Sequence, residues 1–313
     1  MIYAPRQNKT LQILQAAATG GYGVLAAIAY NVEHITALVR AAEAKRSPLI
    51  LLLFPSTLTQ LPSLVWAASA AAKTATVPIS VHIDHAQDEQ QIRYAVESLP
   101  IDSIMVDMSH YDLAENLSKT RELTAFCHAK GIAVEAESGR INGGEDGIAD
   151  TGNLEGMWCD LDCGKHMASP VKIVVPNAKS RTALLTTPKD VEDFLATEID
   201  MLAPSVGNIH GDYGPQGPQL DFQRLSDIAK QLDGRASLVL HGTNDFSPEL
   251  MRDCIRAGVT KVNVNKLLLE TWNVYLRDHA KERTLTQLID EGIRVLQADV
   301  EMWMDIIGSS GRA

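Results

Sequence analysis

The sequence is poor in cysteine, in aromatic residues and in long apolar runs. It has four cysteines among 313 residues, and Phe, Trp and Tyr together make up 5% of the chain. No apolar run approaches the roughly 20 residues that span a bilayer, and the N-terminus lacks the basic segment and apolar core of a secretory signal. So few cysteines in a chain of this length do not resemble a disulfide framework. We therefore expect a cytoplasmic enzyme with reduced thiols and no membrane partner.

Positive charge is also scarce. Lys and Arg total 28 against 39 Asp and Glu, which gives a formal net charge of −11. This balance argues against nucleic acid as a partner, although a small anion could still bind locally. Hydrophobic residues make up 45% of the chain, so a large core is possible, and with few aromatics it is built from Ala, Val, Leu and Ile. This composition suits an α/β protein, and we expect residues 1–313 to form one domain.

Short β-like runs alternate with amphipathic segments along the chain. The strands are predicted at 22–29, 49–54, 79–83, 103–107, 133–137, 201–203, 238–241 and 261–264, and the helices at 33–45, 58–73, 89–99, 114–129, 188–197, 222–232, 248–257 and 267–277. Eight parallel βα units close most naturally into a (β/α)8 TIM barrel, with a doubly wound open sheet as the alternative. An extra helix over 7–18 and a helical C-terminal extension complete the predicted fold.

The region 138–187 is long and irregular, and a loop of that length is usually functional or mobile. It contains Cys159, Cys163 and His166, which could bind zinc. Their spacing is not that of a standard zinc site, and no fourth ligand is evident. An ordinary loop is the simpler interpretation.

Three predicted strands end in histidine: His85, His210 and His241 follow strands three, six and seven. In a barrel those strand ends converge on one face. A lone histidine at such a place is more often structural, but three around one rim indicate a divalent metal such as Zn²⁺ with one position open to substrate. Glu137 ends strand five and either adds a ligand or orients a ligand histidine.

Asp84 directly precedes His85, although successive side chains of a strand point to opposite faces. Both can serve one pocket only where the strand gives way to a loop. Beyond strands six, seven and eight, short polar residues and glycines could cradle a phosphate, with simple turn chemistry as the alternative. They are Gly211, Gly242, Thr243, Asn263 and Asn265. Glu145 lies in a glycine-rich loop, either as a base that closes over substrate or as a solvated acidic turn.

From about residue 20 to residue 269 the chain resembles the class II, zinc-dependent fructose-bisphosphate aldolases, including the tagatose-bisphosphate aldolases. The resemblance is carried by ordered motifs: Ala29-Tyr30-Asn31-Val32, His82-Ile83-Asp84-His85, Val106-Asp107-Met108-Ser109, Val134-Glu135-Ala136-Glu137, Gly143-Gly144-Glu145-Asp146-Gly147, Asn208-Ile209-His210-Gly211, Leu240-His241-Gly242 and Lys261-Val262-Asn263-Val264-Asn265.

The resemblance implies reversible cleavage of fructose 1,6-bisphosphate to dihydroxyacetone phosphate and glyceraldehyde 3-phosphate through a metal-stabilised enediolate, a step of glycolysis. Tagatose 1,6-bisphosphate or another ketose phosphate is the alternative substrate. It also implies one catalytic Zn²⁺ per subunit, a monovalent cation, and a homodimer or homotetramer. No Schiff-base lysine is needed, and the run Ile199-Asp200-Met201-Leu202-Ala203 offers none.

The resemblance further implies roles for single residues. His85, His210 and His241 match the zinc ligands, and Glu137 matches a position that approaches or ligates metal. Asp107 matches a carboxylate associated with activity or with an alternative metal position. Asp84 matches the acid/base that exchanges a proton with the C4 hydroxyl, and Glu145 the loop acid that takes a proton from dihydroxyacetone phosphate. Asn263 and Asn31 match pocket residues, and Gly211 and Gly242 the phosphate and monovalent-cation region.

The departures from the family pattern fall on the phosphate side. Thr243 and Asn244 replace a glycine and a small residue, Lys266 stands where a hydroxyl residue is common, and Pro55 lies near a serine position. The segment 150–180 is longer than in compact relatives. Two further hypotheses stay open. One is a different metal-dependent barrel enzyme such as a hydrolase, although the retained Glu145 and glycines argue against it. The other is a noncatalytic binding or regulatory subunit derived from the family, which loss of turnover through the altered phosphate turn would favour.

Overall fold

The computed structural model of the protein describes residues 5–143 and 185–313. Eight parallel strands close into a barrel in chain order, and β1 pairs with β8 to complete the ring. The strands are β1 (Val24–Ile28), β2 (Leu49–Leu53), β3 (Ile79–Ala86), β4 (Ser103–Val106), β5 (Ala133–Ser138), β6 (Met201–Pro204), β7 (Ser237–Leu240) and β8 (Lys261–Val264). The predicted (β/α)8 barrel is confirmed, and the open sheet is wrong.

Helices alternate with these strands. Within the described residues they are α1 (Lys9–Gly20), α2 (Val32–Lys45), α3 (Pro55–Gln60), α4 (Ser63–Thr74), α5 (Glu89–Ser98), α6 (Leu113–Ala129), α7 (Pro188–Leu195), α8 (Phe222–Leu232), α9 (Pro248–Arg256), α10 (Lys266–His279) and α11 (Leu285–Ile306). Helix α1 is the predicted extra N-terminal helix, and α11 forms the C-terminal extension.

The sequence predicts one helix over 58–73, and this is wrong, because α3 and α4 divide that segment. Pro62 has no N–H to donate, and its ring disfavours helical backbone at the preceding residue. Leu61 accordingly has φ −140° and ψ 56°, which ends α3.

Within the described ranges, no helix is both long and apolar enough to cross a membrane.

The strands bury two apolar layers because their side chains alternate between faces. Leu25, Leu51 and Leu53 belong to the outer layer, which packs against the surrounding helices. Ala26, Ile50 and Leu52 belong to the inner layer, where Ile13 and Leu14 of α1 join the same cluster. Helix α1 therefore packs against the apolar part of the barrel interior and leaves the carboxyl ends of the strands available for a site.

The barrel interior also contains a polar layer. His82 on β3, Ser103 on β4, Glu135 on β5 and Lys261 on β8 are completely buried. His82 Nδ1 lies 2.8 Å from Ser103 Oγ, and Ser103 Oγ lies 2.9 Å from Thr10 Oγ1 of α1. Buried polar groups are costly unless they are paired, so this layer needs an explanation beyond packing.

Candidate metal and active site

A local irregularity in β3 brings Asp84 and His85 to the same pocket. The β3–β4 register shifts between Ile83 and Ala86, and His85 has φ +48°, in the left-handed region. A bulge of this kind re-aims a side chain, and left-handed backbone at a non-glycine residue costs about 1–3 kcal/mol. The strand thus continues to Ala86 and does not give way to a loop after Ile83. A bulge within the strand, and not its end, lets Asp84 and His85 serve one pocket.

The three histidines form one buried cluster at the carboxyl ends of the strands. One nitrogen from each of His85, His210 and His241 lies within 4.8 Å of the others, and His85 Nε2 is 3.0 Å from His241 Nδ1. Three imidazole nitrogens at such separations form a donor set suited to a divalent metal ion. The cluster opens on a cavity of about 10 Å³ that Asp84 and Asn263 also line.

His210 has the character of a free ligand. Its Nε2 is buried and has no hydrogen-bond partner among the described residues. Burial, together with the neighbouring His85 and His241, lowers the pKa of His210 well below its ordinary value. A neutral imidazole with an unused nitrogen is the form that binds metal.

His85 is held by a carboxylate on its far side. Its Nδ1 lies 2.9 Å from Asp107 Oδ2, while Asp107 Oδ1 accepts hydrogen bonds from Ser109 Oγ at 2.6 Å and Ser109 N at 3.1 Å. Asp107 accepts the hydrogen bond of Nδ1–H, so Nε2 is the nitrogen that faces the other two histidines. The observed contacts therefore place Asp107 behind a candidate ligand.

The electrostatics of this corner favour a cation. Burial opposes the charged form of His85, but Asp84, Asp107 and Glu137 outweigh it and raise the pKa of His85 to about 10. Burial and the charge of Asp107 raise the pKa of Glu137 to about 8. Glu137 Oε1 accepts a hydrogen bond from Ile141 N at 2.9 Å, and Glu137 forms a second potential metal-binding group with His85 and Asp107. Asp84, Asp107 and Glu137 around one imidazole favour positive charge at this place, which a divalent ion would supply.

His241 is held by a second carboxylate. Its Nε2 lies 2.7 Å from Glu135 Oε1, and Glu135 Oε2 accepts a hydrogen bond from Lys261 Nζ at 2.7 Å. Burial is the largest cause that lowers the pKa of His241 well below its ordinary value. With the Nε2 proton on the Glu135 side, Nδ1 is the nitrogen that faces His85.

Asp84 is buried and is held by Asn263, whose Nδ2 lies 3.0 Å from each of its two carboxylate oxygens. A carboxylate beside a metal-ligand cluster, oriented by a fixed amide, is suited to general acid–base chemistry. His82, Asp84 and Glu135 also form a potential metal-binding group, but there the ammonium of Lys261 already contacts Glu135.

Thr243 and Asn244, which the sequence places at a phosphate turn, use their side chains within the protein. Thr243 Oγ1 donates to Asn263 O at 2.6 Å, and Asn244 Nδ2 donates to Gly211 O at 3.3 Å. Gly242 has φ +65°, and a Cβ there would lie 2.2 Å from Ile209 O. The glycine is therefore required by the close approach of the chain's own backbone.

The other predicted substrate residues also have partners. Asn31 caps α2 by accepting a hydrogen bond from His34 N at 2.7 Å, and Asn265 Oδ1 accepts from Tyr30 Oη at 3.2 Å. Lys266 Nζ donates to Asp212 Oδ1 at 2.6 Å, and both side chains are exposed. Glu145, Cys159, Cys163 and His166 lie outside the described residues.

Sequence reasoning missed the layer beneath the site. Glu135 and Lys261 appear in it only as letters of motifs, yet both contact predicted site residues. Each lies two positions before such a residue on its strand, Glu135 before Glu137 and Lys261 before Asn263. Because strand side chains repeat every two residues, that parity is the signal that points to them.

Comparison with known proteins supports one family over the whole chain. The family model described as "Fructose-bisphosphate aldolase class-II" matches residues 8–312. A protein of Coccidioides immitis (strain RS), provisionally named a fructose-bisphosphate aldolase, is 43% identical over 98% of this chain and 96% of its own length. A crystal structure from Coccidioides immitis with the same provisional name superposes with a TM-score of 0.87 at 44% identity and 98% coverage of both chains.

Two more distant structures share the fold. The YdjI aldolase of Escherichia coli K12 gives a TM-score of 0.78 at 24% identity, with 96% of this chain and 97% of that chain covered. A fructose-bisphosphate aldolase of Campylobacter jejuni gives 0.71 at 20% identity, with 96% and 95% covered.

Proposed function

Because the chain belongs to the class-II fructose-bisphosphate aldolase family, we propose that it is a zinc-dependent aldolase that reversibly cleaves fructose 1,6-bisphosphate to dihydroxyacetone phosphate and glyceraldehyde 3-phosphate. The observation that carries the proposal is the convergence of His85, His210 and His241 beside the buried carboxylate of Asp84. Tagatose 1,6-bisphosphate or another ketose phosphate is the alternative substrate.

The three histidines would hold the metal ion, with Asp107 and Glu135 orienting two of them. When bound, the ion would supply Lewis-acid stabilisation of the negative charge that develops on the ketose oxygens. Three imidazoles and an open position suit zinc. Glu137, with its pKa raised to about 8, is placed to share this corner as a further ligand or as a neutral acid.

Asp84 would move the proton at the C4 hydroxyl. In the cleavage direction its carboxylate accepts that proton, the C3–C4 bond breaks, and the C4 oxygen becomes the carbonyl of the aldehyde. The electron pair of the broken bond passes to the three-carbon fragment as an enediolate, which a proton on C3 then converts to the ketone. We assign that second proton to Glu145, which takes it back in the direction of synthesis.

Asn263 would keep the Asp84 carboxylate in place, since one amide nitrogen contacts both of its oxygens. Phosphate would meet backbone amides of the loops at Gly211 and Gly242, where a monovalent cation could also bind. The ammonium group of Lys266 would also bind the phosphate, in competition with Asp212. We expect a cytoplasmic homodimer or homotetramer, as the resemblance implies.

Cleavage of fructose 1,6-bisphosphate and tagatose 1,6-bisphosphate should be measured in parallel, with a chelator and with zinc added back. The proposal expects chelator-sensitive cleavage, restored by zinc and reduced at least 100-fold in Asp84→Asn, the order of a general-acid–base contribution. Activity that survives complete removal of metal would refute the metal-dependent mechanism. Zinc binding with no cleavage of either sugar would favour a noncatalytic binding subunit.

A further inference from the structure

Lys261 lies in the barrel interior, where a charged side chain is costly unless it is paired. It is completely buried, and its Nζ has two described partners at equal distance: Glu135 Oε2 and Asn263 Oδ1, both at 2.7 Å. An ammonium is a donor only, so both contacts require the partner atom to be an oxygen acceptor.

The first contact acts on His241. With Oε2 held by Lys261, the other oxygen of Glu135 lies 2.7 Å from His241 Nε2. A carboxylate only accepts, so this contact requires the proton on Nε2 and leaves Nδ1 with its lone pair directed to His85. Asn263 Nδ2 also lies 3.1 Å from Nε2, but it faces both oxygens of Asp84 at 3.0 Å. The contact with the Glu135 carboxylate is the shorter one and therefore decides where the proton lies. The rotamer of Glu135, and through it the tautomer of His241, is thus set from Lys261.

The second contact acts on Asp84. The oxygen and nitrogen of an Asn amide are interchangeable in shape, and only their partners decide which way the amide faces. Lys261 takes the oxygen of Asn263, which leaves the Asn263 nitrogen to contact both oxygens of Asp84 at 3.0 Å. In the opposite orientation the amide oxygen would face the carboxylate.

We propose that Lys261 is a positioning residue that sets two active-site groups at once: the ligand tautomer of His241 through Glu135, and the orientation of Asn263 toward Asp84. The link to catalysis rests on the proposed function. The contacts of Lys261 do not depend on it, and metal binding can be measured without turnover. Lys261 makes no described hydrogen bond to the histidine cluster itself, so its hydrogen bonds act on the cluster through these two partners.

The test compares zinc affinity, kcat and melting temperature in three proteins. Lys261→Met removes both contacts and leaves Glu135 buried and unpaired, so we expect the melting temperature to fall by roughly 5 °C or more. Zinc affinity should fall about 10-fold to 100-fold, as is typical when an outer partner of a ligand is lost. We expect kcat with saturating zinc to fall more than about 10-fold while KM changes little, because the amide that orients Asp84 is no longer held.

The double variant Lys261→Met/Glu135→Gln separates positioning from stability. It leaves no buried unpaired charge, so the melting temperature should recover. Zinc affinity and kcat should stay low, because Asn263 has lost its anchor and the Gln amide no longer imposes one tautomer on His241. Joint recovery of stability, zinc affinity and kcat would overturn the proposal, as would a Lys261→Met protein with ordinary zinc affinity and kcat. Lys45→Met, which breaks a lysine–aspartate pair with Asp305 on the outer helices, is the matched control and should leave both values unchanged.

A measurement on the unaltered protein does not depend on any variant folding. In the zinc-loaded enzyme, nitrogen-15 NMR of the imidazoles should show His241 protonated at Nε2. A proton at Nδ1 would overturn the proposal even if the enzyme were fully active. If the enzyme bound zinc but cleaved neither ketose bisphosphate, the proposed function would fail while the tautomer and zinc-affinity results still decided the role of Lys261.

Discussion

Asp107 offers a sharp test of the proposed metal site, because its contacts place it behind the candidate ligand His85, although the sequence also allows Asp107 to be a ligand itself. Oδ2 lies 2.9 Å from His85 Nδ1, and Oδ1 accepts from Ser109 Oγ and Ser109 N. In Asp107→Asn, one oxygen becomes an amide nitrogen that can only donate. Gln87 Nε2 also donates to Oδ2 at 3.2 Å, but the Gln87 amide can turn to present its oxygen, whereas the backbone N–H of Ser109 can only donate. The remaining oxygen is therefore expected on the Ser109 side, and the new amide nitrogen faces His85.

That amide nitrogen would force His85 Nδ1 to accept, which moves the imidazole proton to Nε2, the nitrogen that lies 3.0 Å from His241. A ligand nitrogen that carries a proton must lose it before metal binds. We therefore expect zinc affinity to fall about 10-fold to 100-fold, equivalent to roughly 1.4–2.7 kcal/mol. Ser109→Ala keeps the His85 contact and should change the affinity by less than about 3-fold.

Zinc affinity is measured by competition with a chromophoric chelator at fixed pH, and the melting temperature of each variant verifies folding. Asp102→Asn is the control, because Asp102 is a half-buried carboxylate that also accepts a backbone hydrogen bond, from Val81 N at 2.8 Å, but at the amino-terminal end of the barrel. Unchanged affinity in Asp107→Asn would refute the orienting role. A loss well beyond 1,000-fold would instead identify Asp107 as a direct ligand.

Three further predictions concern the rim and the helix that follows β1. Asn31→Ala removes the cap of α2 and should lower the free energy of unfolding in urea by about 1 kcal/mol; Asn31→Ser should restore it, and a loss in both variants would contradict the capping role. Burial lowers the pKa of His34 from 6.5 to about 4, so the unfolded chain binds the proton at a higher pH than the folded protein does. The free energy of unfolding should therefore fall by about 2 kcal/mol between pH 7 and pH 5 through this residue, and His34→Phe should remove that loss. An equal pH dependence in both proteins would refute this. Asp212→Asn releases Lys266 for phosphate and should lower the KM for the ketose bisphosphate roughly twofold to fivefold, whereas a higher KM would show that the ion pair helps substrate binding.

The sequence predicts the histidine cluster because it depends only on the order of strands. Once eight parallel strands are recognised, the residues after strands three, six and seven must meet at one rim, and His85, His210 and His241 do so. What the sequence does not contain is the left-handed backbone at His85 and the register shift beside it. Period-two alternation places Asp84 and His85 on opposite faces, and only tertiary pairing with β4 changes that.

The phosphate side is harder to predict because a polar side chain near a loop has several partners within reach. Thr243 is read from the sequence as bulk at an anion turn, but its hydroxyl donates to the backbone of Asn263. Asn31 is read as a pocket residue, and the structure gives it a helix to cap. A hydroxyl or amide looks the same in sequence whether it serves a ligand or its own backbone, so these assignments need the fold first.

Among the described residues, several costly departures from local rules meet at one rim of the barrel and in the layer beneath it, and this clustering is itself evidence about the candidate site. Left-handed backbone at His85, a buried lysine and the unpartnered Nε2 of His210 each cost stability. A buried ion pair can often be replaced by apolar residues without loss of stability, so the fold alone does not require Lys261 and Glu135. Elsewhere in the interior, the apolar cluster that includes Ile13 and Leu14 of α1 is filled mainly with Ala, Ile, Leu and Val. Departures that cluster in this way are expected to serve function. On that reasoning the polar layer supports the histidines, and Lys261 and Glu135 belong to the site.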